Sequence, residues 1–61
     1  MYEVYAKLRD EKGVTDYAVS KATNISPSTF SDWKSGRITP KLPKLVKLAD
    51  YFGVSVTVFI E

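Results

Sequence analysis

The sequence predicts an all-α protein, a compact bundle of four to five short helices. Three observations carry that expectation. Apolar residues recur at three- and four-residue intervals through most of the chain, the repeat of a helix with one buried stripe. Helix stops follow these stretches at Gly13, Asn24, Gly36 and Gly53. Cap residues stand ahead of new ones at Thr15, at Ser26 with Pro27 behind it, and at Ser55. The 61 residues make a single domain, residues 1–61. A chain of that size buries only about 60% of its unfolded surface, so all the apolar stripes must share one core.

The first helix is expected over residues 1–12. Met1, Val4, Tyr5 and Leu8 form its apolar stripe, and Glu3 precedes Lys7 by one turn in the favourable order. The second is expected over residues 16–23. Asp16 in its first turn suits the partial positive charge of a helix start. Ala18, Val19 and Ala22 supply its inner face, Ser20 is small enough for a close helix approach, and Thr23 is a polar residue at a core position. Asn24 tolerates the left-handed conformation, so it can turn the chain, and Ile25 plugs the turn.

The third helix is expected over about residues 27–34, with Phe30 and Trp33 inward. On its opposite side Ser28, Ser31, Asp32 and Ser35 form a polar strip at helical spacing. Pro40 stiffens the loop that follows. The fourth helix is expected to begin near Leu42, with Leu42, Leu45, Val46, Leu48, Ala49 and Phe52 as a broad apolar face. The β-branched tail favours a strand, but a lone strand has no partner. A short fifth helix with Val56 and Phe59 inward is therefore expected.

Composition narrows the chemistry. The chain has no cysteine and no histidine, which removes the commonest residues of nucleophile–base catalysis and of zinc ligation. It has no Gly-rich phosphate loop and no spaced carboxylate pair in a plausible cleft. No enzyme activity, cofactor, metal or small-molecule ligand is indicated. No apolar run approaches the length of a membrane span and no signal-peptide pattern is present, so a cytoplasmic protein is expected. The net charge is only +2, but five cations and no anion lie between Trp33 and Ala49. Such a run reads either as a solvated face or as an edge that meets phosphates.

The stretch from Asp16 to Gly36 resembles the helix-turn-helix of the Cro and phage-repressor type. The resemblance extends to the Glu11–Lys12–Gly13 end of the first helix, the ISPSTFSDWKSG segment, the lone Pro40, and the KLADYFGVS segment. It implies a lambda-repressor-like fold in which helices 2 and 3 form the motif. It also implies a small bacterial or phage regulator with double-stranded DNA as the partner; one helix-turn-helix has a small footprint, so a homodimer on a pseudo-palindromic operator is expected. In that family the second motif helix enters the major groove. The local chemistry agrees: one face of helix 3 is anchored by aromatics, the other is polar, and the cations follow where the chain would cross phosphates.

By resemblance, base-edge positions fall on Pro27, Ser28 and Asp32, with Thr29 and Ser31 adjacent. Phosphate positions fall on Asp16, Ser35, Arg37 and Lys41 and on backbone amides at the starts of helices 2 and 3. Lys34, Lys44 and Tyr17 join them on charge and location. Two departures stand out. Asp16 occupies a place where the family often carries a phosphate-clamping glutamine, and the reading face has no Arg, Asn or Gln for bidentate base contacts. Asp32 fits a solvated charge as well as a base reader. The leading expectation is a sequence-specific DNA-binding repressor that acts as a homodimer on a pseudo-palindromic operator, on the nucleoid. Its dimer surface is expected near Tyr51, Val58 and Ile60. The alternative is a protein–protein interaction module, such as an antitoxin or adaptor, with weak DNA binding.

Overall fold

Four α-helices and a closing 3₁₀ turn follow the punctuation of the sequence. The structure is a computed structural model that describes residues 1–60; Glu61, the last residue of the expected tail, lies outside them. Helix α1 spans Tyr2–Lys12, α2 Asp16–Thr23, α3 Pro27–Lys34 and α4 Leu42–Phe52, and the 3₁₀ turn spans Val56–Phe59. Thr15 caps α2 by accepting the Ala18 amide at 3.1 Å. Asn24 ends α2 in the left-handed conformation, at φ 61°, where its short polar side chain is tolerated. Ser55 accepts the Thr57 amide at 3.3 Å and opens the last turn. That turn stays a 3₁₀ piece because Val56, Thr57 and Val58 are branched at Cβ and crowd a longer α-helix.

The core is built on Tyr5, which has no exposed surface. Its ring stacks on Phe30 at 4.8 Å and on Trp33 at 5.6 Å, and meets Phe52 edge-on at 6.1 Å. Each such aromatic pair adds about 1 kcal/mol beyond its buried area. Val19, Ile25, Leu45, Leu48, Ala49 and Phe59 complete the cluster. Helix α4 packs on α2 and on the 3₁₀ turn, and the turn packs on α1, so the chain's two ends close over the same core.

The structure corrects the expected apolar faces at four places. Ala22 is exposed, and Ser20 and Thr23 are buried in its place. Both polar groups bond within α2 and its turn: Ser20 Oγ donates to the Ile25 carbonyl and Thr23 Oγ1 donates to the Val19 carbonyl at 2.7 Å. Burying them therefore leaves no hydroxyl unpaired. Met1, Leu42 and Val46 are exposed at 41%, 55% and 39%. Met1 precedes α1, and Leu42 and Val46 lie on the flank of α4 beside the face that Leu45, Leu48 and Ala49 bury.

The Tyr5 hydroxyl donates to Asp16 Oδ1 at 2.5 Å. Burial and this bond to a carboxylate push the Tyr5 phenol far above its ordinary range. The unfolded chain releases that proton near pH 10, whereas the fold retains it. The stabilisation is therefore complete below about pH 10 and is lost as the pH rises beyond it. Urea midpoints measured from about pH 8 to about pH 11 should fall across the alkaline part of this range. Tyr5→Phe should be less stable at neutral pH and show a shallower alkaline decline; an unchanged decline would contradict the assignment to Tyr5.

Candidate functional site

Three residues, Asn24, Ile25 and Ser26, join α2 to α3. The Asn24 amide donates to the Ser20 carbonyl at 2.8 Å, and Ile25, only 3% exposed, pins the turn to the core. Ser26 then accepts the Ser28 amide at 3.3 Å, and Pro27 takes the first helical position, where no amide hydrogen is missed. Helix α3 is thereby fixed at its start. Its rotation is fixed by Thr29, Phe30 and Trp33, all buried. Trp33 packs on Tyr5, meets Tyr2 edge-on at 5.8 Å and lies 6.3 Å from Phe59.

That rotation decides which side chains look outward. Pro27, Ser28, Ser31, Lys34 and Ser35 are exposed, and Asp32 is half-buried at the edge. Thr29 is not on this face. It is 6% exposed, because the anchoring of Phe30 and Trp33 carries it inward with them. The hydroxyls differ in what they have left to offer. Ser26 and Ser28 share a hydrogen bond at 2.9 Å, and Ser35 Oγ donates to the Asp32 carbonyl at 3.0 Å. Ser31 Oγ has no partner among the described residues, so its donor and acceptor capacity both face solvent.

Beyond α3 the chain reverses at Gly36, at φ 81°. A side chain is strained at that angle, and glycine removes the strain. The Gly36 amide donates to the Trp33 carbonyl at 3.1 Å and the Arg37 amide to the Asp32 carbonyl at 2.9 Å. This doubly bonded cap directs residues 37–41 away from α3 toward α4. Lys34, Arg37, Lys41 and Lys44 are exposed along this path and form no ion pair among the described residues. They are thus hydrated positive charges with no internal role. On α2, Tyr17 is 66% exposed and Lys21 lies over its ring at 5.8 Å. Lys21 carried no motif that would single it out in the sequence.

Asp16 plays a different part from the one its position suggests. Its Oδ1 accepts both the Tyr5 hydroxyl and Arg9 Nη1, the latter at 3.0 Å. Arg9 Nη1 also donates to the Tyr2 hydroxyl at 3.3 Å, and Arg9 Nε to Asp10 at 3.2 Å. The Asp16 carboxylate, then Tyr2, hold the guanidinium even more firmly protonated than usual. The anion at the start of α2 is therefore neutralised, and it ties α2 to α1. Sequence reasoning missed Arg9 because nothing local shows that α2 returns past it. The one available signal is the one-turn spacing of Tyr5 and Arg9, which puts them on the same side of α1.

The assembled surface is a rigid helix face of short hydroxyls with unpaired cations beyond its end. It suits close approach to an anionic surface. Among the described residues no cluster of potential ligands could hold a metal ion, and no helix is long and apolar enough to cross a membrane. A family model described as helix-turn-helix matches residues 6–59. No curated protein and no solved structure matches the chain.

Asp16→Ala should destabilise the domain by about 1–3 kcal/mol, because it leaves the Tyr5 hydroxyl and Arg9 without their shared acceptor. Ser31→Ala should change stability by no more than about 0.5 kcal/mol. Urea denaturation of both variants checks the division between clamp and surface; equal losses would contradict it.

Proposed function

The chain belongs to the helix-turn-helix family of DNA-binding domains, and on that premise we propose that it is a sequence-specific transcriptional repressor of the bacterial or phage type, which inserts α3 into the major groove of double-stranded DNA and blocks the site it occupies. The observation that carries this reading is the row of exposed cations, Lys34, Arg37, Lys41 and Lys44, none engaged in an ion pair among the described residues, at the end of a helix whose inner face is locked. Phosphate contacts fix register, and unpaired cations are free to make them. Tyr17, with Lys21 beside it, extends the phosphate-facing surface onto α2. Ser35 takes a lesser part, since its hydroxyl hydrogen is engaged by the Asp32 carbonyl.

Base reading falls to Pro27, Ser28 and Ser31, with Asp32 at the edge. Short hydroxyls make few bidentate contacts, so readout relies on bridging water, on thymine methyl groups against Pro27, and on DNA shape. A single reading helix covers few base pairs. The regulator therefore acts as a homodimer on a pseudo-palindromic operator with half-sites about 34 Å apart. Exposed Val58 and Ile60 near the chain's end support a dimer surface there, while Tyr51, expected beside them, is half-buried against the core. Its place of action is the nucleoid.

Selection of bound sequences from random duplex DNA tests specificity and symmetry together. A pseudo-palindrome should emerge. Binding should weaken with salt at a slope near −0.9 per phosphate contact, and Lys34→Ala or Arg37→Ala should each lower that slope by about one unit for all sequences alike. Ser28 and Ser31 substitutions should change the selected sequence, and Thr29→Val should not. Binding that is absent or insensitive to salt would refute the repressor reading and favour an adaptor.

A further inference from the structure

The loop between α3 and α4 carries apolar surface that DNA binding does not use. A cleft of about 510 Å³ is lined by Ile38, Thr39, Pro40, Lys41, Pro43 and Lys44. It is large enough to take one or two side chains. A second cleft, of about 300 Å³, reaches from Trp33 and Tyr2 to the same loop, and the two share Ile38 and Thr39. Ile38, which lines both, is 41% exposed. Together the clefts make a groove with an apolar floor and lysines on its rim.

Neither DNA nor a second copy fits this groove. Phosphates would meet the lysines and leave the exposed Ile38 and Pro43 uncovered. A symmetric pair of copies meeting groove to groove on the twofold axis would set Lys41 and Lys44 of one against the same lysines of the other, a like-charge contact. The larger cleft lies within the stretch between Trp33 and Ala49 that has five cations and no anion, whereas Glu3 lines the smaller one, so the positive rim is that of the larger cleft. Helix α4 starts at its rim without a side-chain cap, so the partial positive charge of its first turn adds to the lysines. Charge complementarity thus selects an occupant that brings carboxylates to the rim and an apolar side chain to the floor.

We propose that this groove docks an acidic, apolar peptide segment of a protein partner. Lys41 and Lys44 then serve two ligands, phosphates in the DNA complex and carboxylates in the peptide complex. The two complexes exclude each other, and a partner presenting such a segment releases the protein from DNA. The competition rests on the DNA reading above, but the docking itself does not.

The test is selection from a random peptide display library against the full chain, followed by titration of the enriched peptides as synthetic probes. Enriched peptides should combine leucine or aromatic residues with aspartate or glutamate, and should shift backbone amide resonances within residues 37–44. Ile38→Ser should weaken peptide binding by about tenfold, or about 1.4 kcal/mol, and leave duplex affinity unchanged. Lys44→Glu should weaken both. A bound peptide should displace duplex DNA. Enriched peptides without acidic residues, resonance shifts elsewhere, or full affinity in a folded Ile38→Ser variant would overturn the docking proposal. Stronger binding to anionic phosphatidylglycerol vesicles than to any peptide would overturn it in favour of a lipid surface. Failure to bind duplex DNA with peptide binding intact would overturn the repressor reading alone.

Discussion

Tyr5 has its ring stacked on Phe30 and on Trp33 and its hydroxyl bonded to Asp16, so one side chain joins α1 to both helices of the turn. The ring sets the rotation of α3 by fixing the two aromatics on its inner face. The hydroxyl sets the position of α2 by holding its first residue. A domain of this size has few buried contacts to spare. The geometry of the exposed face is therefore inherited from a phenol that never reaches the surface.

The same arrangement explains the unusual residue at the start of α2. A carboxylate there would repel phosphate if it were free. In this chain Asp16 Oδ1 is the acceptor for Tyr5 and Arg9, and the Arg9 guanidinium offsets the carboxylate's charge although the side chain is 42% exposed. The two roles compete for one side chain, and the packing role has taken it. In the proposed DNA complex the phosphate contacts fall to cations elsewhere, and those beyond α3 have no ion-pair partner among the described residues.

Position along the chain also separates stability from binding. Ser26, Thr15 and Ser55 spend their hydroxyls as caps, whereas Ser31 keeps its own free. Thr29 and Ser31 are two residues apart, yet one is part of the core wall and the other is fully presented. The loop after α3 mixes cations with exposed apolar groups, among them Arg37, Ile38 and Lys41.

Much of the fold was legible in the residues themselves. Helix stops at Gly13, Asn24 and Gly53, caps at Thr15, Ser26 and Ser55, and the inward pair Phe30 and Trp33 all follow from local chemistry and helical spacing. So does the outward setting of Ser28 and Ser31. Spacing failed where a residue lies on the margin of a helix face, since Ala22, Leu42 and Val46 are outside, and the resemblance failed at Thr29, which is inside. Whether a margin is covered depends on which neighbour packs there, and periodicity along one helix holds no information about that neighbour. The Arg9–Asp16–Tyr5 cluster and the groove at Ile38 have the same origin. They join residues brought together by the way α2 returns past α1 and the loop crosses toward α4. The sequence alone determined the helices, their ends and the identity of the polar strip; only the tertiary packing decided its rotation, its half-buried edge and the fate of Asp16.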